Sequence, residues 1–345
     1  MRFRIGGDTG DKIYGWVVPD NPLVLSSVII RSRGREIAKI TTSIYDENFV
    51  KFGWHSTGYC NFEINKSNVP GLEEIRDLEL FDADTNVLIY RRIEHSSYID
   101  QRLILINTSI EPETDLQSAL FTHFRQSYFG LDRMSEEIIT SIFSSLELTS
   151  LFLSGSINVP RYENFMMPDT CLTAALIHDP FVEMARRMIW LQSKSEAAGD
   201  STQAWRVGSY KDSALLLRDC ELSNVGDLKK FFRYLPEPAY NLLYNPLIRQ
   251  FGTRLPEDRV FPGHSIAAIE VLARVAIVGH FEHFELFAAV ICEKLGLNLP
   301  TINKKMPSDK IMSVSMALRS LKFAREMVAF DVAIADVVLE TVRKT

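Results

Sequence analysis

Two imidazoles and two carboxylates fall close together at His280, Glu282, His283 and Glu285, and these are side-chain types that hold zinc. Their spacing matches no zinc pattern, and a strand-to-helix junction aims them in different directions, so no metal is expected. Glu282 and Glu285 instead suit the positive end of the helix that follows. His123 stands between Phe121 and Phe124 and reads as a packed helix residue in preference to a general base. The run Gly6-Gly7-Asp8-Thr9-Gly10 looks like a phosphate-cradling loop, but no strand is read before it and no Lys-Ser or Lys-Thr follows, which discards it. Tyr14, Trp16, Trp54, His55 and Tyr59 either fill a β core or form an aromatic platform for stacking sugars.

These residues need elements to hold them, and the chain changes character near residue 95. Before that point, short runs at 12–18, 27–33, 36–42, 58–64, 77–81 and 87–90 tend to alternate between apolar and polar residues and are separated by turn signals. Gly34 supplies the positive φ that a hairpin needs, and Asp82-Ala83-Asp84-Thr85-Asn86 gives another turn. Six such runs predict a small β-sandwich over residues 1–95. Beyond it, apolar bursts lead into helical periods, the pattern of an α/β sheet covered by helices over 96–345. Residues 103–106 are fully apolar, and a helix is predicted over 114–128 with Leu116, Leu120, Phe121 and Phe124 on one face. Further buried strands are predicted at 151–153, 171–177 and 275–278, making a mostly parallel sheet. Residues 193–202 read as an exposed polar excursion.

Composition narrows the partners. The 345 residues are 46% hydrophobic and 24% charged, with a formal charge of −6 and basic residues scattered along the chain, so no footprint for nucleic acid is visible. No uncharged apolar run reaches membrane-span length, because Glu270, Arg274, Asp331 and Asp336 interrupt the best segments. The four cysteines, Cys60, Cys171, Cys220 and Cys292, lie far apart beside apolar neighbours and read as reduced thiols. With no apolar leader at the start, the expected location is the cytoplasm.

Three stretches of the α/β part, in order, resemble the carbohydrate sulfotransferase family, whose donor is 3′-phosphoadenosine 5′-phosphosulfate (PAPS). Residues 104–116 occupy the place of that family's strand, PKTGGTS-type loop and helix start. Leu176-Ile177-His178-Asp179-Pro180 stands where the family has a strand ending in LRDP. Asn245-Pro246-Leu247-Ile248-Arg249, then Ile277-Val278-Gly279 through Glu285, then Leu295-Gly296-Leu297 are similar to its NPQTR, VGLTERF and LGL runs. The resemblance implies a three-layer α/β sulfotransferase-like fold and a donor site near Asn107, Ser109, Thr114, His178 and Arg186.

At that site the residue types work against an anionic donor. Ile110 stands in place of the loop Lys, and Glu111, Pro112 and Glu113 in place of its small residues. Pro112 removes an N–H donor, and each nearby carboxylate opposes a phosphosulfate by roughly 1 kcal/mol or more. Thr114 either caps its helix, the favoured reading, or bonds a phosphate oxygen. His178 replaces the anchoring Arg, and Arg186 and Arg187 read as a solvated helix face, with compensation for that loss as the alternative. The family's GH pair corresponds to Gly155-Ser156, without an imidazole. No catalytic residue is assigned; His123, His178 and Glu111 are the candidates. The implied function is a sulfotransferase-like protein of bacterial surface or exported polysaccharide modification with a degenerate donor site. The alternative is a non-catalytic glycan-binding or assembly protein on the same fold. Transfer of another group, with Glu111 or Glu113 as acid or base, ranks below both. Carbohydrate is the expected partner, and oligomeric state is left open.

Overall fold

The computed structural model describes residues 1–92, 98–145, 149–166 and 171–344. The expected domain boundary at residues 95 and 96 lies outside the described residues. The chain divides into two compact units, Met1–Ile104 with Leu120–Gly155, and Leu105–Ala119 with Ser156–Thr345.

Among the described residues the N-terminal part holds eight strands: β1 (Arg2–Asp8), β2 (Lys12–Val18), β3 (Ser27–Ser32), β4 (Arg35–Thr41), β5 (Ile44–Tyr45), β6 (Tyr59–Asn65), β7 (Leu78–Asp82) and β8 (Leu88–Arg92). They form two four-stranded antiparallel sheets, in the orders β1-β2-β6-β5 and β4-β3-β7-β8. Alternation explains the burial: Ile13 and Val17 of β2, Val28 and Ile30 of β3, and Phe62 and Ile64 of β6 point inward and are all but inaccessible. Ser32 pairs with Arg35 across Arg33 and Gly34, whose φ values of 48° and 73° make the two-residue turn that matches strand twist. The sequence reading missed β1, because Gly6 and Gly7 break its apolar pattern. The structure uses those glycines for clearance, since a Cβ on Gly6 would lie 2.5 Å from the Tyr14 ring.

Among the described residues the third sheet has five strands in the order β10-β11-β9-β12-β13, with parallel pairing: β9 (Arg102–Ile106), β10 (Gln126–Phe129), β11 (Leu151–Gly155), β12 (Cys171–Ile177) and β13 (Ile277–His280). All seven residues of β12 are buried, as expected for a strand covered on both faces. The helices that matter below are α1 (Thr114–Phe121), α2 (Glu136–Ser144), α3 (Pro180–Ser193), α4 (Pro246–Gly252), α5 (Phe284–Lys294), α6 (Asp309–Ser320) and α7 (Ala329–Val342). The helix expected over 114–128 ends at Phe121, and its last two turns are replaced by a bend and by β10. Buried Gln126 and Ser127 hide that strand from a hydrophobicity pattern. The 193–202 segment is less exposed than expected: a short helix at Ser195–Gly199 packs Ala198 against Val207 and Ala214.

Met184, Met188 and Leu191 of α3 share a core with Val314 and Leu318 of α6 and with Leu228 and Phe231. All four cysteines are free, and burial pushes the thiols of Cys60 and Cys220 up to about 11, which leaves them mostly protonated and poorly nucleophilic near neutrality. Among the described residues no helix is long and apolar enough to cross a membrane.

Candidate functional site

β9 and β12 are neighbours in the sheet, so the segments leaving their carboxyl ends meet, at the place where open α/β sheets bind ligands. After β9 the chain runs through residues 107–113 into α1. After β12 it passes His178 and Asp179 into α3. The Asp179 carboxylate accepts from the amides of Phe181 (2.9 Å) and Val182 (3.0 Å), Pro180 fills the first helical position, and Arg319 pairs with the same carboxylate. That cap fixes where α3 begins and thereby which of its residues face the loop.

Glu183 faces it. Buried to 4% exposure, its carboxylate accepts from the Ser109 hydroxyl (2.7 Å), the Ile110 amide (2.9 Å) and Arg187 Nε (2.7 Å), with Arg186 at 3.8 Å. The loop's hydroxyl and backbone N–H, which a phosphate or sulfate would need, therefore hold an internal carboxylate. Arg187 also donates to the carbonyls of Leu242 (3.0 Å) and Thr108 (3.4 Å), and the Gln250 amide of α4 donates to the Asn107 carbonyl (2.8 Å). The Thr108 hydroxyl donates to the Leu176 carbonyl, pinning loop to strand. Sequence reasoning passed over Glu183. The available signal was its spacing to Arg186 and Arg187, three and four residues on, which puts all three on one helix face.

Arg186 is buried and Arg187 half-buried, contrary to the solvated face expected for them, because Glu111 and Glu183 pair with Arg186 and Glu183 with Arg187. Arg186 donates to Ser109 (3.2 Å) and to His178 Nδ1 (3.0 Å), with Glu111 at 3.6 Å. A guanidinium only donates, so His178 Nδ1 presents its lone pair and the ring proton sits on Nε2, 3.1 Å from Glu113 Oε1. The imidazole, stacked on Phe281 at 4.8 Å, is thus a neutral bridge between an arginine and a glutamate. Thr114 is exposed and lies in the first turn rather than at the cap, because the Glu113 carbonyl already accepts from the Gln117 amide (2.9 Å).

The structure therefore gathers Asn107, Ser109, Glu111, Thr114, His178 and Arg186 around one loop and adds Glu183 and Arg187. Two guanidinium groups face the three carboxylates of Glu111, Glu113 and Glu183, one net negative charge with His178 neutral. The remaining cavity, lined by Asn107, Ser109, Glu111, Glu113 and His178 among others, is about 10 Å³. That is room for about one water, against the several hundred Å³ of a nucleotide pocket. The residues present do not fit PAPS.

The other candidates lie elsewhere or are spent on structure. His123 belongs to the first unit, half-buried, with its amide bonded to the Leu120 carbonyl (3.0 Å). His280 Nδ1 accepts from the Glu282 amide (3.2 Å), and burial holds its pKa below the usual imidazole value. Glu282 pairs with Arg343 at 3.1 Å. Among the described residues no cluster of three or more His, Cys, Asp or Glu side chains is placed to hold a metal ion. In the first unit, His55 is buried and accepts through Nδ1 from the Thr57 (3.3 Å) and Gly58 (3.2 Å) amides, while Trp16 and Trp54 pack with Phe49. Tyr14 and Tyr59 are exposed, and Tyr45 joins them with its ring 5.5 Å from that of Tyr59.

In comparisons with known proteins, no family model and no curated protein matches the chain. Among solved structures, the crystal structure of a sulfotransferase from Alicyclobacillus acidocaldarius is similar over 68% of this chain and 96% of that one, at 11% identity and a TM-score of 0.36. A likeness at that level says nothing of substrate or chemistry.

Proposed function

We propose that this protein is a non-catalytic, glycan-binding protein in which the loop after β9 is a structural latch and not a donor site. The observation that carries the reading is the Glu183 carboxylate seated on the Ser109 hydroxyl and Ile110 amide with Arg187 behind it. An anionic nucleotide would have to displace a buried, triply hydrogen-bonded group from a site that leaves no volume for it. The glycan half of the reading rests on the first sheet. Tyr14 lies on the same face as Tyr59, Asn61 and Glu63, and Tyr45 pairs with Tyr59. Exposed rings beside amide and carboxylate groups are what a sugar ring stacks on and hydrogen-bonds to.

Calorimetry and thermal melting with adenosine 3′,5′-bisphosphate test the first half. At about 1 mM ligand, a Kd of about 10 µM would add about 2.7 kcal/mol of stability, so an unmoved melting temperature is expected and a shift of several degrees overturns the reading. An oligosaccharide array tests the second half. Tyr45→Ala and Tyr59→Ala should each weaken any glycan that binds by up to about tenfold, and binding that ignores both substitutions refutes the platform.

A further inference from the structure

The first unit contains a far larger concavity than the sealed loop. About 460 Å³ lies among β1, β8, β10 and α2, walled by Phe3, Ile5 and Ile89 and by the rings of Tyr90 and Tyr128. Four arginines line it, Arg4, Arg91, Arg92 and Arg125, and no aspartate or glutamate does among the described residues. Two of the four are spent: Arg91 pairs with Glu79 at 2.8 Å and donates to the carbonyls of Phe121 (2.8 Å) and Phe124 (3.1 Å), and Arg92 pairs with Asp8 at 2.6 Å. Among the described residues Arg4 and Arg125 have no carboxylate within ion-pair distance. Gln126, 7% exposed, adds a side-chain Nε2 that is buried at this wall without a hydrogen-bond partner.

Unbalanced guanidinium groups around a concavity with apolar walls focus positive potential into it, and their planar forks match the paired oxygens of a tetrahedral oxyanion. A buried amide donor left unsatisfied marks a place where an acceptor is worth more than in water. The volume suits a ligand of monosaccharide size. We propose that this cavity binds a small sugar ester carrying phosphate or sulfate, the oxyanion held by Arg4 and Arg125 and the ring against the tyrosines and Phe3. The lining includes none of Tyr14, Tyr45 and Tyr59, and the proposal does not depend on the glycan-binding reading.

Isothermal titration with glucose 6-phosphate, glucose 6-sulfate, inorganic phosphate and glucose reads the proposal directly. At least one ester should bind, glucose should not, and whichever ester binds more tightly identifies the anion; inorganic phosphate should bind more weakly than the phosphorylated sugar. Arg4→Gln and Arg125→Gln, both on exposed side chains that circular dichroism can show to leave the fold intact, should each weaken binding about tenfold or more, with affinity falling as salt rises. Tyr45→Ala and Tyr59→Ala should leave it unchanged, which separates this site from the tyrosine face. Binding of neither ester at about 10 mM, equal binding of glucose, or an affinity unaltered in the double arginine variant overturns the proposal.

Discussion

Glu183→Gln preserves the shape of the side chain and removes its charge, so it asks how much the latch is worth. In the native protein the carboxylate takes hydrogen bonds from Ser109 (2.7 Å), Ile110 (2.9 Å) and Arg187 (2.7 Å) at 4% exposure. Removing one partner of a buried ion pair costs about 3–5 kcal/mol, because the other charge is left uncompensated. Arg187 keeps its bonds to the carbonyls of Leu242 and Thr108, which places the expectation at the lower end, about 3 kcal/mol. Urea unfolding measures it: with m near 3 kcal/mol/M the midpoint should fall by about 1 M. A second readout separates an anion seat from a mere packing defect. Glu183→Ala vacates the groups that held the carboxylate, so sulfate or phosphate should raise the melting temperature of that variant and not of the native protein. A loss under about 1 kcal/mol for Glu183→Gln, or equal stabilisation of native and Ala proteins by sulfate, would refute the latch.

Three further outcomes test the surrounding structure. The Asp331 carboxyl of α7 is buried at 1% exposure and accepts from the amides of Leu247 and Ile248 (2.9 Å each); burial pushes its pKa up to about 7, against the pull of those amides and of Arg187. A carboxyl whose folded pKa is raised contributes stability that is complete below its unfolded value and lost as pH rises through the folded one. Unfolding free energy should therefore drop more steeply from about pH 4 to pH 7 in the native protein than in Asp331→Asn, and parallel profiles refute the assignment. Asn245, at φ 40°, accepts from the amides of Phe330 (3.0 Å) and Asp331 (3.2 Å). Chemical denaturation should rank native above Asn245→Gly above Asn245→Ala, since Gly loses only the bonds and Ala also keeps the strained backbone, and Ala equal to Gly contradicts this. Gly279→Ala in β13 would put a Cβ 2.5 Å from the Phe287 ring of α5, so thermal unfolding should show a loss of about 1–3 kcal/mol; an unchanged melting temperature means the helix shifts freely.

The elements that the sequence disclosed best are those whose local pattern and tertiary setting agree. β2 and β12 have the predicted bounds, one by alternation and the other by an unbroken apolar run, and the Gly34 turn follows from its φ. β1 and β10 escaped because glycines in one and buried Gln126 and Ser127 in the other answer to neighbours that are distant in sequence. At the site, the spacing of Asp179 and Pro180 disclosed the helix start, whereas the acidic loop gave no sign of the internal carboxylate that its hydroxyl and amide hold. Glu183, Arg186 and Arg187 were legible as a helix face but not as a buried one. Whether a charge is buried depends on its partner, and Ser109 lies 74 residues away from Glu183.

That distance also changes which carboxylate matters. Glu111 is mostly exposed and Glu113 partly so, and charges in or near water act on an anion weakly and are screened by salt. Glu183 acts by occupancy: an incoming phosphate must first remove it from its donors and then leave it, or its hydration, somewhere in the fold. If the latch is worth about 3 kcal/mol, that debt alone weakens any anion at the loop about a hundredfold relative to an open seat with the same donors. Substituting Glu111 and Glu113 by Gln should thus leave the loop unreceptive, whereas the single change at Glu183 should open it. The order of those two effects, read by sulfate-dependent melting, distinguishes an occupied seat from a merely repulsive one.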